Sequence, residues 1–139
     1  MSMQQGWQTA RPALTGAEPQ LFVADLRVSC DFFTQKLGFA VVFVYGEPPF
    51  YGQVMRDGAR LNLRCVGAPV FDIARRERES LLSASMTVDA TEDIERLYAE
   101  FAPTGVSFHQ TLETQPWGAK DFIVRDPDGN LLHFAGPAE

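Results

Sequence analysis

Positive charge is in short supply in this chain. Twelve Lys and Arg stand against eighteen Asp and Glu, a net charge of −6 with a pI near 4.9. Nucleic acid is excluded on that ground, because its binding rests on neutralising phosphates. The acidity is compatible with a cationic ligand and serves solubility. Long apolar runs are lacking too: none approaches the roughly 20 residues that cross a bilayer. The first sixteen residues, MSMQQGWQTARPALTG, show no charged-then-apolar leader pattern, so no membrane and a cytoplasmic location are expected. Cysteine is scarce. Cys30 and Cys65 have no ligand spacing, and two reduced, buried thiols are expected.

What is present is enough for one core, with 45% hydrophobic residues and no long linker in 139 residues. The expected layout is a flexible or docking arm over residues 1–16 and a single domain over 17–139. Gln20–Asp25 reads as a short strand. Leu26–Leu37 reads as a helix with an apolar stripe of Phe32, Phe33 and Leu37, stopped by Gly38. Strands follow at Phe39–Tyr45, Tyr51–Arg56 and Arg60–Val66, the last two flanking the hairpin signal Asp57-Gly58. Arg75–Glu79 (RRERE) is expected to be a solvated loop or a short helix. Ser83–Asp89 alternates like a half-buried strand. Thr91–Phe101 has Ile94, Leu97, Tyr98 and Phe101 at helical spacing, with Thr91 as its expected cap. Val106–Thr111, Lys120–Arg125 and Asn130–Ala135 are the last strands.

The order β-α-β-β-β therefore occurs twice, over residues 17–67 and 82–136. That is an internal duplication. Phe22-Val23 corresponds to Thr87-Val88, and the run from Asp57-Gly58 to Leu63 corresponds to Asp128-Gly129 to Phe134. The fold class is α+β, with the modules forming a curved mixed sheet and helices on its outer face. Strand parity then sorts side chains. Leu61, Leu63, Leu132 and Phe134 belong under the helices. Arg60, Asn62, Arg64 and His133 point into the concave side.

The four equivalent groove positions are Glu18, Asn62, Ser83 and His133. Only Glu18 and His133 are good metal ligands, with His109 as one conceivable addition, whereas a catalytic site needs three protein ligands. No metal or other cofactor is expected; a divalent metal ion on Glu18 and His133 is the alternative. Should those two lie close together, they form an ion pair instead. Trp117, in the rigid corner Pro116-Trp117-Gly118, offers a flat face for an aromatic or cationic ligand. Phe50 and Tyr51 occupy the matching region of the first half. A plain solvated sheet, or aromatics covering a subunit interface, are the competing readings.

These residues resemble the vicinal-oxygen-chelate superfamily of glyoxalase I, extradiol dioxygenases and bleomycin-resistance proteins, and most of all the last. Gln115-Pro116-Trp117-Gly118, with Arg125-Asp126-Pro127-x-Gly129-Asn130-x-x-His133-Phe134, is similar to their C-terminal signature. Leu97-Tyr98-Ala99-Glu100, Pro19, the run from Phe32 to Phe39 and Phe50-x-Gly52 are similar to further pieces, so the likeness covers residues 17–136. It implies a homodimer that sequesters a drug in grooves at the subunit interface without chemistry. It also implies exchange of an N-terminal strand, hinging near Pro19. Ligand stacking would fall to Trp117 and Phe50, with Tyr51 beside Phe50, and polar contacts are expected from Arg60, Asn62, Arg64 and His133. The metal-enzyme branch, a lyase, isomerase or dioxygenase, uses a His/Gln and Glu set where this chain has Glu, Asn, Ser and His. Arg60 and Arg64 depart from a site for a polycation and would suit a carboxylate-bearing aromatic.

Overall fold

The computed structural model describes residues 11–139. The first ten residues of the expected arm lie outside the described residues, and residues 11–18 are exposed without regular structure. The elements are β1 (Gln20–Val23), α1 (Leu26–Leu37), β2 (Ala40–Tyr45), β3 (Tyr51–Arg56), β4 (Ala59–Cys65), α2 (Ile73–Glu79), β5 (Ala84–Thr87), α3 (Thr91–Phe101), β6 (Ser107–Thr114), β7 (Ala119–Arg125) and β8 (Leu131–Pro137). A turn of 3₁₀ helix, Ala102–Thr104, follows α3. None of the described helices is long and apolar enough to cross a membrane.

Each module makes its own four-stranded mixed sheet. The orders are β1-β4-β3-β2 and β5-β8-β7-β6, the duplication read from the sequence. In each, the first strand joins its partner in parallel, Gln20 opposite Asn62 and Ser85 opposite His133. The two sheets lie on one core instead of merging into a continuous ladder. Leu21, Phe33, Leu37, Leu61 and Leu63 of the first module share it with Ile94, Phe101, Phe122 and Phe134 of the second. Phe122 stacks on Phe134 with ring centroids 5.2 Å apart.

Local chemistry sets the helix limits. Asp25 caps α1, accepting from the N–H groups of Arg27 and Val28. Leu26, Cys30, Phe33 and Leu37 then form its buried stripe, and Gly38 closes it at φ 71°. For α3 the cap differs from expectation. Ala90 is the N-cap, with no side-chain bond. Thr91 is the first helical residue, and its hydroxyl donates to the Pro137 carbonyl at 2.6 Å.

Two sets of contacts join the modules. Arg56 donates to both carboxylate oxygens of Glu100, at 2.6 and 3.0 Å, and to the Leu37 carbonyl. At the other end, the Asp126–Asn130 turn reaches across. The Asp128 carboxylate accepts from Ala24 N–H at 2.8 Å, and Asn130 donates to the Phe22 carbonyl at 3.2 Å. Asp126 holds that turn together, accepting from the N–H groups of Asp128 and Asn130 and from the Asn130 amide.

Burial of Asp126 pushes its carboxyl up to about 6 from an unfolded value near 3.8. The folded protein therefore holds the extra proton between those values. The stabilisation is complete below pH 4 and is lost as pH rises through 6. Measured against Asp126→Asn by urea unfolding, the wild type should lose about 2 kcal/mol of relative stability from pH 4 to pH 7. A difference that stays flat over this range would contradict the assignment.

Candidate ligand-binding groove

Alternation leaves the face of each sheet opposite the core lined with polar groups. On the first sheet the organiser is Gln53, 7% exposed in the middle of β3. Its amide donates to Asn62 at 2.8 Å and to Glu18 at 3.1 Å, and its carbonyl accepts from Arg60 at 3.0 Å. Arg64, further along β4, is exposed.

On the second sheet the organiser is Asp121 of β7, 4% exposed. His133 of β8 meets it through Nε2 at 2.9 Å, and the other ring nitrogen meets Ser85 Oγ of β5 at 2.6 Å. The second Asp121 oxygen accepts from Gln110 at 2.8 Å and Gln115 at 2.9 Å. Burial pushes this carboxyl up, but the bonds from Gln115, His133 and Gln110 outweigh it and hold the group below the usual carboxylate range.

Gln115 also starts the aromatic corner. Its N–H donates to the Ala119 carbonyl at 2.7 Å, and Gly118 N–H donates back to Gln115. Trp117 projects from this turn, 73% exposed, and the turn is tied through Gln115 to the buried Asp121. In the first module, Phe50 is 45% exposed and sits edge-on to Tyr45 at 5.7 Å. Tyr51 is half-buried against Phe43 at 5.6 Å.

The other end of the second sheet's polar face is occupied by α2. The Asp72 side chain caps this helix. Glu77 accepts from Arg125 Nε at 2.8 Å and from His109 Nδ1 at 3.0 Å, while His109 Nε2 meets Ser80 Oγ at 2.8 Å. The bonds from Arg125 and His109 hold the Glu77 carboxyl down at about 2. Arg76 bonds Ser83 and Asn130 and lies over the Phe71 ring at 3.8 Å. The charged run is thus a helix with one side docked: Arg76 and Glu77 are half-buried, while Arg75, Arg78 and Glu79 are exposed.

Between the modules lies an open cavity of about 910 Å³, within the range of small-molecule sites. It wraps round the free edge of β5 and the start of β4, and Arg56, Arg60, Leu61, Ser85, Phe101 and Phe134 contribute to its wall.

The structure brings Arg60, Asn62 and Glu18 together through Gln53. It joins His133 to the turn that carries Trp117, through Asp121 and Gln115. The conditional Glu18–His133 ion pair does not form: Glu18 bonds Gln53 and Asn62, and the carboxylate on His133 is Asp121. Ser83 is taken up by Arg76 and Asn130, and among the described residues no three His, Cys, Asp or Glu side chains gather. Sequence reasoning missed Gln53, Asp121, Gln110 and Gln115. Applying parity to β3 and β7, as to β4 and β8, would have placed Gln53 and Asp121 on the polar face.

A family model for the Glyoxalase/Bleomycin resistance protein/Dioxygenase superfamily matches residues 15–134. The bleomycin resistance proteins of Geobacillus stearothermophilus and Staphylococcus aureus are 33% identical over 129 residues, covering 84% of this chain and 92% of theirs. Among solved structures, a bleomycin-binding protein from bleomycin-producing Streptomyces verticillus, complexed with copper(II)-bleomycin, aligns with a TM-score of 0.66 at 24% identity, over 89% of this chain and 97% of that one. A glyoxalase/bleomycin resistance protein/dioxygenase from Alicyclobacillus acidocaldarius aligns at 0.69 and 22% identity, over 88% and 91%. At these identities the structural likeness shows the fold alone.

Asp121→Ala should strand three donors at once and lower stability by about 2–4 kcal/mol. In a Trp7→Phe background, the same change should also lower the fluorescence anisotropy of Trp117 by freeing its corner. Thermal unfolding and steady-state anisotropy check the two effects separately; an unmoved anisotropy would show that Gln115 alone holds the turn.

Proposed function

The chain belongs to the Glyoxalase/Bleomycin resistance protein/Dioxygenase superfamily, and from that premise we propose that it is a cytoplasmic drug-binding protein that sequesters a bleomycin-type glycopeptide as a homodimer. The observation that carries the reading is Trp117, a large ring held out 73% exposed by a hydrogen-bonded corner beside a polar groove. Exposed aromatic rings on rigid turns stack flat or cationic ligands. The net charge of −6 draws a cation toward the protein. The curated relatives at 33% identity carry the name bleomycin resistance protein.

The dimer is supported by surface that one chain leaves uncovered. Val41, Val42, Phe43, Val44 and Tyr45 of edge strand β2 are 38–66% exposed, a contiguous apolar stretch of the kind that marks interfaces. Residues 11–17 are exposed and belong to no strand. An arm exchanged between subunits and the facing surface of the partner would complete a groove made from both subunits. Trp117, Phe50 and Tyr51 would stack the ligand there. Arg60, Asn62, Arg64 and His133 would supply the polar contacts, with the two arginines suited to the acceptor-rich parts of such a molecule.

Bleomycin titrated into the Trp7→Phe protein should quench Trp117 fluorescence saturably at micromolar concentration. Replacing Phe50 by Ala should weaken the Kd about 3- to 30-fold, the worth of one stacking contact. Absence of a saturable quench would end the specific drug assignment. Light scattering should give twice the chain mass of 15.5 kDa, and a variant starting at Pro19 should shift toward the monomer; a wild-type monomer at micromolar concentration would remove the dimer.

A further inference from the structure

Ser85, His133 and Asp121 stand in a line of which drug sequestration uses only His133. Asp121 is buried, and among the described residues no Lys or Arg pairs with it: its partners are His133 and the amides of Gln110 and Gln115. An ionised carboxylate can only accept. His133 Nε2 must therefore carry a proton and donate it to Asp121. In the neutral ring the other nitrogen is then an acceptor, and the Ser85 hydroxyl at 2.6 Å donates to it. The relay has one polarity, set at its buried end. It leaves Ser85 Oγ exposed, with its proton already bonded to a base whose tautomer is fixed by an acid.

We propose that Ser85 is a nucleophile, activated by His133 and positioned through Asp121, and that the cavity on which it opens accepts esters of small carboxylate-bearing molecules. The inference goes beyond ligand sequestration and rests on that reading only in needing the groove open to small molecules. Three observations support it. A hydroxyl, an imidazole and a carboxylate in line at 2.6 and 2.9 Å are the three groups that serine acyl transfer uses, here with the ring nitrogens exchanged, Ser85 on Nδ1 and Asp121 on Nε2. Ser85 lines the cavity of about 910 Å³ together with Arg60. Arg60 makes a hydrogen bond to Gln53 but no ion pair among the described residues, so it is free to receive a substrate carboxylate.

The second Ser–His contact in the protein is less suited to this chemistry. His109 also bonds a serine, Ser80, and a carboxylate, Glu77. There the carboxylate is already engaged by Arg125, which cancels the charge an imidazolium would need.

The reaction balances without a further reagent. Ser85 Oγ bonds to the acyl carbon while its proton passes to His133. The ester C–O bond breaks, and the leaving alkoxide takes that proton. Water then attacks the acylated Ser85, its proton passes to His133, and Ser85 leaves with a proton restored. The products are a carboxylic acid and an alcohol.

The test treats the full chain with an alkyl fluorophosphonate and maps the adduct by mass spectrometry. One adduct is expected, on Ser85, with loss of fluoride. Ser85→Ala should abolish it, Asp121→Asn should slow its formation roughly a thousandfold or more, and Ser80→Ala should leave it unchanged. Mono-p-nitrophenyl succinate should be hydrolysed faster than p-nitrophenyl acetate, and Arg60→Gln should erase that preference. An absent adduct, an adduct on Ser80, or a Ser85 adduct indifferent to Asp121→Asn each overturns the proposal. Circular dichroism of Ser85→Ala and Asp121→Asn excludes misfolding as the cause of lost labelling. Bleomycin quenching of Trp117 reports binding independently, so either reading can fail without the other.

Discussion

A four-stranded sheet carrying one helix can bury only one of its faces, and this constraint shapes the whole molecule. The duplicated modules meet it by sharing a core, with Phe33 and Leu37 from one and Phe101 and Phe122 from the other. The opposite faces are left without a covering layer of their own. Polar residues must stand there, and each must find partners. The result is two hydrogen-bonded floors organised by Gln53 and Asp121. A groove with polar lining follows from the packing problem before any ligand is considered.

The two floors have diverged although the scaffolds match. Asn62 and His133 occupy equivalent strand positions, yet one is held by a neutral amide and the other by a carboxylate. Charge follows the same division. The first floor carries Arg60 and Arg64, while the second carries a buried anion whose partners are an imidazole and two amides. The two surfaces are thus polarised, with cationic side chains on one and an anion buried beneath the other.

Helices α1 and α3 were legible in the sequence to the residue, because their apolar stripes and the Gly38 stop are local signals. The duplication was legible because Asp57-Gly58 and Asp128-Gly129 mark the same turn twice. Parity placed Arg60, Asn62 and His133 on the polar face. What could not be read was who holds them. Asp121 and His133 are twelve residues apart, and Glu18 and Gln53 thirty-five; sequence spacing carries no record of such pairings. The cap of α3 shifted by one residue because the Thr91 hydroxyl found the Pro137 carbonyl, a partner 46 positions away. The Arg75–Glu79 run looked like a solvated stretch because charge predicts exposure on average. Its docking depends on Arg125 and His109, which belong to strands far along the chain.

That docked helix has a thermodynamic meaning. Helix α2 buries no residue of its own and is held to the second sheet mainly by polar contacts, yet it is tethered to that sheet at both ends. A tether of this length presents it to its seat at an effective concentration of order millimolar. Any molecule reaching toward His109 or Arg125 competes with an occupant that never diffuses away. Affinity at that end of the groove is therefore a difference between two bindings, one of them written into the chain.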